Sequence, residues 1–149
     1  MGEEIGWRGF LVPQLAKNYS YTTTSLVSGI IWSLWHYPVL IFAGYSSGTP
    51  VWYELTCFTV MVVSLSFVFA WLRLKSGNLW TCTTCTLLHA SHNLYVQAIF
   101  TPLTQNRGKT AWFIDEFGAV LPLVAVAFAV YFWRRRGELQ SAADVIRKS

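Results

Sequence analysis

Two adjacent glutamates near the start of the chain are the first residues whose type and spacing could do chemistry. Glu4 and Arg8 are four positions apart, so on a helix their side chains are neighbours that can form an ion pair. Glu3 is rotated from Glu4 by about 100° on such a helix and is left without that cation. A carboxylate without a fixed cation, in a site of low dielectric, is suited to act as a general base. The spacing therefore predicts a catalytic Glu3, with Glu4 and Arg8 in support.

All three histidines of the chain, His36, His89 and His92, fall in strongly apolar segments. Ionisable residues inside a membrane span usually face the bundle interior or a water-filled cavity. His89 and Asn93 are four positions apart and share one helical face, whereas His92 lies about 60° to one side of His89. We predict that His36, His89 and Asn93 contribute to one interior site. His92 is expected to pack against a neighbouring helix, a common use of buried histidine in membranes.

The composition indicates which elements must position these residues. Hydrophobic residues make up 54% of the 149 residues and charged residues only 12%, about half the charged fraction of ordinary soluble domains. The surplus of apolar surface must face lipid, so we predict an all-α, polytopic transmembrane helix bundle. Each span needs about 20 residues. The predicted spans are residues 25–44, 55–72, 79–100 and 117–133.

The segments outside these spans indicate the orientation in the membrane. Residues 1–24 contain the glutamate–arginine pattern and are too polar to span, so we expect a helix end or a helix at the interface. Lys and Arg gather at span ends, as Arg73, Lys75 and the arginines at 134–136. By the positive-inside rule these ends are cytoplasmic, which predicts a cytoplasmic polar tail at residues 134–149. Because the basic residues form no stripe with aromatic residues, we expect no nucleic-acid partner.

Three short motifs occur in order along the chain. They are Glu3-Glu4-x-x-x-Arg8, Trp32-x-x-x-His36 and His89-x-x-x-Asn93. Together they resemble the motifs of the CPBP family (CAAX protease and bacteriocin-processing, or Abi) of intramembrane peptidases, which includes the eukaryotic Ras-converting CAAX endopeptidase. The resemblance covers residues 2–100. It implies a multi-pass protein of a prokaryotic plasma membrane, N-terminally truncated relative to the family, whose members usually carry further spans before the first motif.

The resemblance also implies an activity and roles for the motif residues. The protein would be an endopeptidase that cleaves a protein or peptide at the lipid bilayer, with Glu3 activating a water assisted by His36. His89 and Asn93 would stabilise the oxyanion that develops on the peptide carbonyl. Two accounts of the chemistry stay open. One is metal-free; the other uses zinc held by Glu3, His36 and His89, since a catalytic zinc site has three protein ligands and one open position.

Three other interpretations fit part of the sequence pattern. An inactive family member could act as a membrane scaffold or a bacteriocin-immunity protein. Two histidines on facing helices could ligate haem, but Asn93 and the glutamate–arginine motif would then have no task. The spacing Cys82-x-x-Cys85-x-x-x-His89 is similar to that of metal ligands, although buried cysteine more often packs as a small hydrophobe.

Overall fold

The computed structural model describes residues 2–44, 46–78, 80–105 and 107–139, with the backbone alone described at Cys82. Within these ranges the regular elements are all helices, so the predicted all-helical class is confirmed. The first helix, α1, is continuous and consists of three pieces. They are an α-helical turn at Gly2–Glu4, a π-helical segment at Ile5–Leu11 and an α-helical end at Val12–Ala16.

Two long helices, α2 at Tyr21–Phe42 and α3 at Val51–Ser76, form the framework of the fold. Both are long and apolar enough to cross a membrane, judged by length and composition. They pack closely along a line of small residues, where Gly29 of α2 faces α3 so tightly that an added Cβ would lie 2.8 Å from Val63 Cα. Small residues allow this approach of two backbones in membrane helix pairs. A polar contact between Ser33 and Thr59, 3.0 Å long, joins the same faces.

The end of α3 is fixed by a left-handed residue and by the last helix. Gly77, with φ of 61°, provides the C-cap of α3, a position where glycine avoids the Cβ penalty. The last helix, α5 at Val120–Arg134, packs along α3. Near its end the ring of Phe132 lies 5.0 Å from that of Trp71. Thus α3 lies between α2 and α5 and supports both.

The remaining helix, α4, changes its geometry in the middle. It is α-helical at Thr81–His92, π-helical at Asn93–Phe100 and α-helical again at Thr101–Leu103. A short 3-10 turn at Thr110–Trp112 follows before α5. Segments of π-helix are rare in proteins, and those that occur often lie at functional sites. The π-helical segments of α1 and α4 both carry motif residues. Arg8 lies in the π-helical piece of α1, and Asn93 begins that of α4.

The helix ends differ from the predicted spans for identifiable reasons. Whereas the first span was predicted at 25–44, α2 begins at Tyr21 because the Ser20 side chain accepts a hydrogen bond from Thr23 N and caps the helix. The last predicted span began at 117, but Asp115 has a left-handed φ of 67° and delays α5 to Val120. Crossing of a membrane by all four segments stays a prediction. Residues 79 and 140–149 of the predicted segments lie outside the described residues.

The hydrophobic core lies around α3 and reaches every helix that faces it. Phe58, Met61, Val62 and Phe69 of α3 are buried at its centre. The residues packed on them from the other elements are Trp32, Leu40, Cys85, Phe117 and Ala125. Trp32, the aromatic residue of the second motif, thus belongs to the core, which places this motif against the interior.

Candidate active site

Glu3 is held by two indole rings at the entrance of the interior. Its Oε1 atom accepts a hydrogen bond of 2.5 Å from Trp32 Nε1 and another of 3.2 Å from Trp7 Nε1. Trp7 follows Glu3 by four residues on α1, whereas Trp32 comes from α2. No described residue bonds the second oxygen, Oε2, and the side chain is 28% exposed. The carboxylate is thus fixed through one oxygen and keeps the other available.

Glu4 is the enclosed carboxylate of the two. Its Oε1 lies 3.1 Å from Arg8 Nη1 in an ion pair whose two side chains are each 2% exposed. Desolvating two charges is costly unless they are paired and hydrogen-bonded. The Arg8 guanidinium lies over the ring of Trp32, 4.0 Å from its centroid, and over that of Phe69 at 4.6 Å. Glu4 and Arg8 therefore fasten α1 to α2 and α3 at the level of the second motif.

His89 of α4 is the third partner of this ion pair. Its Nδ1 lies 3.3 Å from Glu4 Oε1. An ionised carboxylate only accepts, so Nδ1 carries a proton, and Nε2 is the nitrogen left for other contacts. The ring also lies 5.5 Å from that of Trp32, edge to face. Glu4 thereby sets the direction of the His89 ring.

His36 is oriented by its own helix. Its Nδ1 lies 2.9 Å from the backbone carbonyl oxygen of Trp32, one turn earlier, so Nδ1 donates and Nε2 is the free nitrogen. This Nε2 lies 3.8 Å from Glu3 Oε1. That separation exceeds a direct hydrogen bond but allows one water to contact both atoms. Rings of Trp35 and Phe58 lie 5.0 and 5.3 Å from the imidazole and restrict its rotation.

Trp32, His36 and His89 line one cavity of about 390 Å³ between α2, α3, α4 and α5. Its walls are mainly apolar. The polar residues that line it are His36, His89, His92, Asn93, Gln97 and Glu116. An apolar cavity with a few convergent polar groups is the usual form of a site for a small ligand or a substrate side chain. The structure therefore brings the predicted residues of the second and third motifs to one space, with Glu3 bonded to its wall residue Trp32.

Three lining residues were missed by the sequence interpretation. His92 was expected to pack against another helix, yet it lines the cavity beside Asn93. Gln97 and Glu116 are joined by a hydrogen bond of 2.7 Å from Nε2 to Oε2. The signal for Gln97 was its spacing, four after Asn93 and eight after His89. Glu116 follows a left-handed residue in a loop, so no helical periodicity could have indicated it.

The described side chains do not assemble the zinc set considered from the sequence. Zinc ligand atoms lie about 2.0–2.2 Å from the metal and must converge on one point. Here His89 directs its Nδ1 at Glu4. The described residues contain no group of three or more His, Cys, Asp or Glu side chains placed to hold a metal ion. As placed, Glu3, His36 and His89 do not form a zinc site. The Cys82 side chain lies outside the described residues.

The fold and the site define an all-helical protein that has two helices long and apolar enough to cross a membrane and a cavity with polar residues between its helices. The family model of the Type II CAAX prenyl endopeptidase Rce1-like proteins matches residues 1–95. This range includes each of the three motifs, from Glu3 to Asn93. The chain belongs to this family, and the recognition made from its motifs is confirmed.

A curated relative supports the same assignment. The CAAX prenyl protease 2 of Methanococcus maripaludis is 34% identical over 134 residues, which are 87% of this chain and 45% of the relative. The chain thus spans less than half the length of this relative. No solved structure gives a significant match to the chain.

Proposed function

We propose that the chain is an intramembrane endopeptidase of the CAAX-processing type. It hydrolyses a peptide bond of a membrane-associated protein or peptide. The observation that carries this proposal is that two adjacent glutamates each lie close to a different histidine. Glu3 lies 3.8 Å from His36 Nε2, and Glu4 lies 3.3 Å from His89 Nδ1. The first pair provides a base, and the second orients an electrophilic group.

Glu3 and His36 activate the water. A water between Glu3 and His36 Nε2 donates one hydrogen bond to each, because both atoms are acceptors. Its oxygen lone pair then faces the cavity. Glu3 takes a proton through Oε2 as the oxygen attacks the peptide carbonyl carbon, in the manner of a general base. The two indole bonds on Oε1 hold the carboxylate in place during this transfer.

His89 and Asn93 stabilise the charge that forms on the carbonyl oxygen. The Asn93 side-chain amide donates N–H, and His89, whose Nδ1 donates to Glu4, donates through Nε2 in its doubly protonated form. Donors already in place when charge develops are often the largest single catalytic contribution. As the intermediate collapses, the C–N bond breaks and the proton held by Glu3 passes to the leaving amine. Atoms and charge balance without a further reactant, and no metal enters the sequence.

The cavity walls indicate the kind of substrate. Leu65, Val68 and Phe69 of α3, Leu88 of α4 and Phe128 of α5 give it a long apolar side next to the histidines. A substrate whose cleavage site lies beside an apolar group would bury that group there. The named activity of the relative from Methanococcus maripaludis, a CAAX prenyl protease, fits this shape. We therefore infer that the substrate carries a lipid or an apolar segment near its scissile bond.

The basic residues orient the enzyme in our proposal. Arg73 and Lys75 at the end of α3 and Arg135 after α5 lie at the same end of the bundle, since Lys75 and Arg135 both bond Glu138. The positive-inside rule places this end in the cytoplasm. The enzyme is then a multi-pass protein of a prokaryotic plasma membrane, with a cytoplasmic C-terminus.

Cleavage of a lipid-anchored reporter peptide tests the function. The protein in lipid vesicles is compared with the variant Glu3→Gln, which retains an acceptor for the two indoles but not the base. Glu138→Gln is the matched control, since Glu138 is not among the residues that line the cavity and its carboxylate bonds Lys75 and Arg135. We expect cleavage by the parent and by Glu138→Gln, and a loss of at least about 100-fold in Glu3→Gln, the scale of removing a general base.

Addition of a chelator to the same assay tests the chemistry. Unchanged cleavage is expected for a glutamate mechanism, whereas loss and recovery with zinc would contradict it. An inert parent protein, with both variants equally inert, would leave a non-catalytic membrane scaffold as the function.

A further inference from the structure

We propose that His92 is a positioning residue that holds the Asn93 amide with its N–H donors toward the developing oxyanion. The proposal rests on the proposed peptidase function and adds a residue that none of the three motifs includes. It assigns a task to the third histidine of the chain, which the sequence interpretation had left to helix packing.

The contact that carries the proposal lies at an exposed position that borders the cavity. His92 Nδ1 is 3.3 Å from Asn93 Oδ1, and both side chains line the cavity. Because the amide oxygen can only accept, His92 donates through Nδ1 and the oxygen of Asn93 is occupied. The two N–H groups of that amide are then the part of Asn93 left to meet a substrate.

The contact lies where the hydrogen-bond pattern of α4 changes. The α-helix ends at His92 and the π-helical segment begins at Asn93, while the backbone angles of both residues are those of an ordinary α-helix. Neighbours on such a helix are separated by about 100°. The two side chains meet across this angle at the cavity wall, His92 Nδ1 to Asn93 Oδ1.

The orientation of the amide decides what Asn93 can do. An asparagine has a donor end and an acceptor end, and rotation of its amide exchanges them. If Oδ1 of Asn93 faced the oxyanion, the partial negative charge of the amide oxygen would repel it and the transition state would be destabilised. A donor on Oδ1 removes this second orientation, which is the role that outer-shell partners have for catalytic groups.

The other contacts of His92 argue against a packing role. A histidine retained for helix packing is expected to hydrogen-bond a neighbouring helix. Among the described residues the side-chain hydrogen bond of His92 goes to Asn93, on its own helix. Its Nε2 is buried and bonds no described residue. The ring is therefore held by the contact with Asn93 and not by a contact between helices.

Two isosteric substitutions distinguish the contributions of Nδ1 and Nε2 of the His92 ring. The side-chain amide nitrogen of Asn in His92→Asn occupies the place of Nδ1, whereas that of Gln in His92→Gln occupies the place of Nε2. We expect His92→Asn to keep a kcat within about threefold of the parent, while His92→Gln and His92→Leu lose roughly 10-fold or more, the scale of outer-shell substitutions. KM is expected to stay unchanged in all three, and Tm equal in His92→Asn and His92→Gln.

Equal kcat values for His92→Asn and His92→Gln, whether high or low, would overturn the proposal. A change confined to KM would overturn it also, since it would make His92 a substrate contact. An inert parent protein would instead contradict the proposed function. The nitrogen chemical shifts of a ¹⁵N-labelled imidazole then decide the contact by itself. We expect His92 protonated on Nδ1, with this preference lost in Asn93→Leu; protonation on Nε2 alone would overturn the proposal.

Discussion

His89 Nδ1 lies 3.3 Å from Glu4 Oε1, so a carboxylate of α1 holds an imidazole of α4. The same oxygen is bonded by Arg8 Nη1 at 3.1 Å. One oxygen thus joins the first and the third motif, which are 85 residues apart in the chain. Because Glu4 is paired with these two partners and only 2% exposed, it serves as an anchor, and Glu3, 28% exposed, is the carboxylate left for chemistry.

Removal of Arg8 should destabilise the fold strongly. In Arg8→Gln the buried Glu4 keeps its charge without its cation, and breaking a buried pair in this way costs about 3–5 kcal/mol. Both side chains are only 2% exposed, so solvent screens the pair little. Chemical unfolding in detergent micelles measures the loss. Lys17→Gln is the control, since the Lys17 side chain is exposed and, among the described residues, donates its hydrogen bond to Gln14. A loss below about 1 kcal/mol, as for a surface pair, would contradict the anchoring role.

Substitution of Trp32 should reduce turnover without unfolding the protein. Trp32→Phe keeps an aromatic ring beneath Arg8 but removes the 2.5 Å bond to Glu3 Oε1. A hydrogen bond to a charged group contributes about 1.5–3 kcal/mol, which predicts a fall of kcat of roughly 10-fold. Trp7→Phe removes the longer bond of 3.2 Å and should cost less. Reporter cleavage by both variants gives the comparison. A larger fall of kcat in Trp7→Phe than in Trp32→Phe would contradict our expectation that the Trp32 bond contributes more.

A methyl group at Gly29 should force α2 and α3 apart. Its Cβ would lie 2.8 Å from Val63 Cα and 3.0 Å from Ser66 Oγ, and the first of these is backbone that cannot move alone. Overpacking of this kind costs about 1–3 kcal/mol, so Gly29→Ala should lower Tm. Gly6→Ala is the matched control, because nothing lies within 4 Å of its added Cβ. If both alanine variants were equally stable, the close approach of α2 and α3 would be refuted.

The segment after α5 should loosen as the pH falls. Hydrogen bonds from Arg135 and then from Lys75 hold the pKa of Glu138 below its ordinary value. A carboxyl whose pKa is lower in the folded state stabilises that state above its unfolded pKa, and this contribution is lost as the pH falls through the folded pKa. The effect is small because these side chains are largely exposed. Amide hydrogen exchange of residues 135–139 measures it. Glu138→Gln should remove the pH dependence; its persistence in that variant would exclude Glu138 as the cause.

Part of this structure follows from local rules that a sequence displays. The four-residue spacing of Glu4 and Arg8 predicted a pair on one helix, and the structure has that ion pair. The apolar composition predicted helices, and the motifs predicted the family. Each of these inferences needs only the period of an α-helix or the order of residue types.

Other features of the structure cannot be derived from the period of an α-helix. The contact of His92 with Asn93 accompanies a π-helical segment, whose position cannot be derived from a fixed 100° step. Glu116 reaches the cavity through a loop with a left-handed Asp115. The bond from Trp32 to Glu3 needs the packing of α1 against α2, which is a tertiary relationship. The sequence therefore indicated the candidate residues of the site and missed part of the contacts that orient them.

The most direct test of the central claim compares the two glutamates in one experiment. Reporter cleavage and Tm are measured for Glu3→Gln and Glu4→Gln in the same lipid vesicles. We predict that Glu3→Gln keeps the Tm of the parent and loses at least about 100-fold in kcat, as expected for the base, while Glu4→Gln lowers Tm. A Glu3→Gln protein that cleaves at the parental rate would contradict the account.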